Sequence, residues 1–117
     1  MKARFLLPLL LAAACSTPQP RYMVGEPYSL GGVWSYPREE FALVETGLAT
    51  RQAGPGWNTP TANGESWSAS RALAAHRTLQ LPAVVTVTNL ENGSSLTLRV
   101  NDRGPVNPGR VIGLSDR

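Results

Sequence analysis

The chain has 117 residues, 42% of them apolar, one cysteine and a formal net charge of +3. That length allows one domain, and a lone cysteine closes no internal disulfide, so a hydrophobic core must hold the fold. The basic excess sits at the extreme N-terminus. Without Lys2 and Arg4, nine basic residues face eight acidic ones, too even a balance for nucleic acid.

Residues 1–15 read as a targeting segment. Two cations precede an apolar run from Phe5 to Ala14, which is shorter than the roughly 20 residues a spanning helix needs. Leu11-Ala12-Ala13-Ala14-Cys15 has the pattern of a lipobox, which predicts a lipidated Cys15 at the mature N-terminus. An ordinary cleaved signal with a chance cysteine is the alternative. Residues 16–21 form a polar, proline-containing tether, and the globular domain is expected over 22–117. Those boundaries leave no further module after the domain.

Glycine and proline are scattered through the domain and helix-period apolar stretches are nearly absent, which predicts short strands and turns. Residues 49–58, with two glycines, read as a loop. Ser68 is positioned to cap a short helix over Ala69–Ala75, a run of good helix formers. Val and Thr alternate from residue 85, Asn92-Gly93 signals a turn, and Leu96, Leu98 and Val100 share one face. These predict a hairpin of strands 83–89 and 95–101. A further strand begins at Val111. A mainly β domain with one short helix suggests a small barrel.

Three titratable residues stand at the edges of these elements. Asp102 closes the second hairpin strand and opens the turn Arg103-Gly104-Pro105; taken alone, it reads first as a turn aspartate bonding its own backbone. His76, the only histidine, falls at the C-terminal end of the short helix, where the helix dipole favours an imidazolium. A helix-end cap explains it equally well. Glu65 follows the turn Asn63-Gly64 and reads alone as a solvated loop carboxylate. Two carboxylates and an imidazole can nonetheless move protons at a glycosidic oxygen. Paired His or Cys spacings for a metal, a phosphate-binding glycine loop and a nucleophile elbow are all missing from the sequence.

Thr61-Ala62-Asn63-Gly64-Glu65, Ala74-Ala75-His76-Arg77-Thr78-Leu79, Val87 to Gly93 and Val100 to Pro105, with Tyr22 to Tyr28 and Thr46 to Ala49, together resemble the rare lipoprotein A family. The resemblance implies a double-psi β-barrel, six-stranded with a short helix and incomplete at its C-terminal end. It implies a lytic transglycosylase without a metal or other cofactor, cleaving the bond from N-acetylmuramic acid to N-acetylglucosamine. Naked glycan strands are the implied substrate and 1,6-anhydro ends the implied products. Matched by motif, Asp102, Glu65 and His76 are the expected catalytic residues, and Asn63 and Arg103 are expected to bind substrate. The expected partners are peptidoglycan glycan strands and, through Cys15, a membrane; Ser16 after the cysteine is similar to outer-membrane sorting signals, placing the domain in the periplasm. No nucleic acid is expected.

The chain departs from the family pattern at four places. Thr50-Arg51-Gln52 replaces a serine and an aromatic pair; Ser68 and Gly113 stand where aspartates are usual; and the family's closing strands do not follow Leu114-Ser115. A glycan-binding lipoprotein without activity, or an inactive remnant, are therefore the alternatives to an enzyme.

Overall fold

The computed structural model describes residues 21–56 and 59–115. The signal segment with Cys15, and all of the tether but Arg21, lie outside them. Seven strands are present: β1 (Tyr28–Leu30), β2 (Val33–Ser35), β3 (Ala49–Arg51), β4 (Leu73–Ala75), β5 (Ala83–Thr88), β6 (Ser95–Asp102) and β7 (Ile112–Leu114). β1 and β2 form an antiparallel hairpin. The other five make one mixed sheet in the order β3-β7-β4-β6-β5, with β3–β7 and β4–β6 parallel.

The predicted hairpin forms within a residue of its expected ends, with Val85 opposite Leu98 and Val87 opposite Leu96. Its connection is longer than a two-residue turn. Asn89 N–H donates to the Ser94 carbonyl at 2.7 Å, and the Asn89 and Asn92 side chains accept from the Glu91 and Ser94 amides. Gly93 supplies the left-handed residue at φ +77°.

The short helix is not formed. Residues 69–71 are turn and bend, and Leu73–Ala75 are the fully buried central strand β4, between β6 and β7. Tertiary packing overrides helix propensity here, because small alanines buried on both faces let neighbouring layers close over the sheet. Residues 49–51, expected as loop, pair with β7 as an edge strand. The double-psi barrel class holds as an all-β fold, and the expected incompleteness holds with it: among the described residues five strands form an open sheet with β3 and β5 on its edges, and the short helix is absent.

The core is small. Ala74, Leu81, Leu98 and Val100 are buried together, with Met23, Val85, Ile112 and Leu114 packed around them. The β1–β2 hairpin is tied on through Arg77, whose guanidinium donates to Ser35 Oγ and the Val106 carbonyl, while Tyr28 Oη donates to the Arg77 carbonyl. This brings the hairpin beside the loops that follow β4 and β6.

Candidate functional site

The site is built at the C-terminal ends of the parallel strands β4 and β6. Their pairing shifts register there: Ala74 faces Val100, but Ala75 faces Asp102, so Asn101 is the extra residue of a bulge. Bulges re-aim side chains and end pairing. Here the strand releases Asp102 at the sheet edge while its carbonyl still accepts from His76 N–H at 3.1 Å.

Residues 61–65 fold over this end as a tight turn. Gly64 N–H donates to the Thr61 carbonyl at 2.9 Å, Thr61 N–H donates to the Glu65 carbonyl at 2.7 Å, and Gly64 takes φ +91°. The turn has two contacts with β6. Ala62 N–H donates to Asp102 Oδ1 at 3.0 Å, and Glu65 reaches Arg99 and Asn101. The turn therefore brings Glu65 and Asp102 to one strand end.

Asp102 is half-buried. Burial raises its pKa, against the smaller downward pull of the Arg103 and Ala62 amides and the Arg103 charge. Both amide bonds fall on Oδ1, at 2.9 Å from Arg103 and 3.0 Å from Ala62. Oδ2 carries no hydrogen bond among the described residues, so the proton of the neutral acid belongs on Oδ2. The turn-aspartate reading describes this residue, which accepts from the adjacent Arg103 amide, and Oδ2 is left without a partner among the described residues.

Glu65 is of a different kind. Arg99 Nε donates to Oε1 at 2.9 Å, Arg99 Nη2 pairs with Oε2, and Asn101 Nδ2 donates to Oε1 at 3.1 Å. The Arg99 fork is the main cause that holds this carboxyl down at about 2. A permanently ionised, bidentate carboxylate is a poor proton donor at neutral pH. Beside it lies an open groove of about 430 Å³ lined by Gly64, Glu65, Ser66, Arg71 and Arg99. A larger depression of about 630 Å³ runs between β3 and β7, but none of the site residues lines it.

His76 follows a strand, not a helix, so no helix dipole acts on it. Its ring is buried, at 6% exposure. Nδ1 accepts from the Thr78 and Leu79 amides at 3.1 and 3.2 Å, and Nε2 lies 2.9 Å from Glu45 Oε1. Asn63 and Arg103, expected at the substrate, are turned inward. Asn63 is 1% exposed and its Oδ1 accepts from Thr61 Oγ1 and the Glu65 amide. The Arg103 guanidinium donates to the backbone carbonyls of His76, Leu79 and Val24. Among the described residues, no group of three or more His, Cys, Asp or Glu side chains gathers to hold a metal.

Three participants escaped sequence reasoning. Arg99 was legible only as the polar face of a strand. Glu45 lies 31 residues before His76 with no local signal. Gln52 was noted only as a departure from the family, yet its side chain fills the space beside Gly113 and Gly104, where any Cβ would press on it, and donates to the Arg103 carbonyl at 3.4 Å.

Comparison with known proteins is consistent with this architecture. Residues 50–117 match the lytic transglycolase family. Proteins named endolytic peptidoglycan transglycosylase RlpA are similar over most of the chain. That of Rickettsia bellii is 41% identical over 80% of this chain and 43% of its own length. That of Vibrio cholerae is 34% identical over 95% and 54%, and that of Pseudomonas aeruginosa 44% identical over 76% and 26%. The chain thus spans about half or less of these relatives. With the fold, the bulge at Asp102 and the overlying 61–65 turn in place, the chain belongs to the RlpA family of double-psi β-barrel proteins.

Proposed function

We propose that this domain is a peptidoglycan lytic transglycosylase with Asp102 as its acid and then its base. The observation that carries the reading is the Asp102 carboxyl: its pKa raised by burial, Oδ1 anchored by two amides and Oδ2 unencumbered at a strand end. The names of the relatives supply the polymer.

In this mechanism Oδ2–H protonates the oxygen that links N-acetylmuramic acid to N-acetylglucosamine. The C1–O bond breaks, the N-acetylglucosamine end leaves as an alcohol, and positive charge develops at C1. The ionised Asp102 then accepts the proton of the muramic acid C6 hydroxyl as that oxygen closes on C1. The acid is regenerated and a 1,6-anhydro end is formed. The nucleophile is part of the sugar, so its effective concentration is very high. Glu65, paired with Arg99 and held by Asn101, fixes the turn that supplies the Ala62 amide. Peptide-free strands are the proposed substrate, as the family resemblance implies. Cys15, as a lipidated N-terminus, would tether the domain to the envelope, with the outer membrane facing the periplasm as the proposed location.

A second reading has a specific observation behind it. Gln52 and Gly113 replace an aromatic and an aspartate at the same spot, and Gln52 occupies the space of both. That favours glycan binding without cleavage.

Incubation with peptide-stripped glycan strands, followed by mass spectrometry of released and pelleted material, separates the two. Anhydromuramoyl fragments from the wild type and none from Asp102→Asn support the enzyme. Protein in the glycan pellet without fragments supports the binding module.

A further inference from the structure

The geometry points to Glu45 as a positioning residue of the Asp102 site, acting through His76. The inference rests on the reading of Asp102 as the acid, but its first link is independent of it.

A ring nitrogen that accepts two N–H bonds carries no hydrogen. His76 Nδ1 accepts from Thr78 and Leu79, so the neutral ring bears its hydrogen on Nε2, and that hydrogen points at Glu45 Oε1. Both ring nitrogens are thereby committed to the protein. His76 has no atom left to exchange a proton with a sugar, and its work is to hold the turn that follows β4.

That turn holds Asp102. With the Thr78 and Leu79 amides drawn onto the ring, the carbonyls of His76 and Leu79 face Arg103, which donates to them at 3.3 and 2.5 Å. The Arg103 amide is one of the two donors on Asp102 Oδ1, and the His76 amide binds the Asp102 carbonyl. Asp102 is gripped on both sides by the segment His76 organises.

Glu45 comes from elsewhere in the fold. Its segment is anchored to the start of β7, where the Val111 amide donates to the Leu48 carbonyl at 2.8 Å. The Glu45–His76 pair therefore ties the β3–β7 side of the sheet to the ends of β4 and β6. The Glu45 side chain is 42% exposed, so removing its carboxylate hands Nε2–H to solvent. An exchanging water holds the ring less firmly than a fixed carboxylate, which loosens its hold on the two amides.

The single histidine makes the test direct, because the imidazole ¹⁵N–¹H spectrum of the whole protein has one spin system. Wild type should show the Nε2–H tautomer. Glu45→Gln should keep it, since a carboxamide oxygen still accepts. Glu45→Ala should show mixed tautomers and faster exchange of the Thr78, Leu79 and Arg103 amides. On glycan strands, Glu45→Ala should lower kcat about tenfold with little change in KM, and Glu45→Gln should recover most of it. The pH profile should keep its shape in both. An Nδ1–H tautomer in the wild type, or a Glu45→Ala spectrum and exchange pattern identical to wild type, would overturn the proposal. If the protein cleaves no glycan, the spectra and the Arg103 exchange still decide the positioning role, and only the catalytic reading falls.

Discussion

Replacing Glu65 by Gln removes a charge while keeping the shape of the side chain, and the structure sets both the size and the pH dependence of the result. The Arg99 fork lowers the Glu65 carboxyl from the usual 4.5 to about 2. A drop of that size corresponds to about 3 kcal/mol of native-state stabilisation. The Arg99 side chain is 41% exposed, so solvent screens part of this, and about 1–2 kcal/mol is the expected loss. The sign follows from the direction of the shift. A carboxyl with a depressed native pKa contributes its stability fully above the unfolded value and loses it as pH falls from about 4.5 towards 2. Urea unfolding of wild type and Glu65→Gln should therefore differ by about 1–2 kcal/mol at neutral pH and converge near pH 2. Asp102 works in the opposite direction. Its raised pKa adds stability at low pH that is lost as pH rises through the native value, but it is present in both proteins and cancels in the difference. A gap that is equal at both pH values, or no gap at neutral pH, would refute the claim that the Arg99 fork secures this turn.

Three further outcomes follow from the geometry. Cleavage of glycan strands should fall as pH rises through the elevated Asp102 value, because the neutral acid is the competent form; a pH–rate profile with no loss on that side counts against Asp102 as the donor. Gly113→Ala should destabilise by about 1 kcal/mol, since its Cβ would push the flexible end of Gln52 aside and lie tight against Gln52 Cβ, and Gln52→Ala in the same chain should restore part of the loss in a thermal melt. Leu98→Ala, at 3% exposure in the core, should cost about 2–5 kcal/mol in denaturant unfolding, a large share of the stability of so small a domain.

The amino-acid sequence determined the local pieces of this protein. Alternating Val and Thr, Leu96, Leu98 and Val100 on one face, and Asn92-Gly93 between them specify the β5–β6 hairpin, because strand alternation and turn chemistry act over a few residues. The same reach explains the Asn63-Gly64 turn and the position of Asp102 at a strand end. Residues 69–75 mark its limit. Their helix propensity is real, but it is worth only tenths of a kcal/mol per residue, and Leu73, Ala74 and Ala75 gain more by burial between β6 and β7.

Only the tertiary structure decided what the titratable groups do. The 61–65 turn lying against β6 sets Glu65 on Arg99 and Asn101, 34 and 36 residues away, and converts a loop carboxylate into a fixed anion. Chain crossing over 31 residues sets Glu45 on His76. Both pairings depend on which strands lie side by side, and no local rule of spacing contains that information. Asp102 Oδ2 has no partner among the described residues, while the overlying turn supplies the Ala62 amide and the next residue the Arg103 amide to Oδ1. That assignment of roles belongs to the fold as a whole, where burial and long-range hydrogen bonds set the proton affinity of each group.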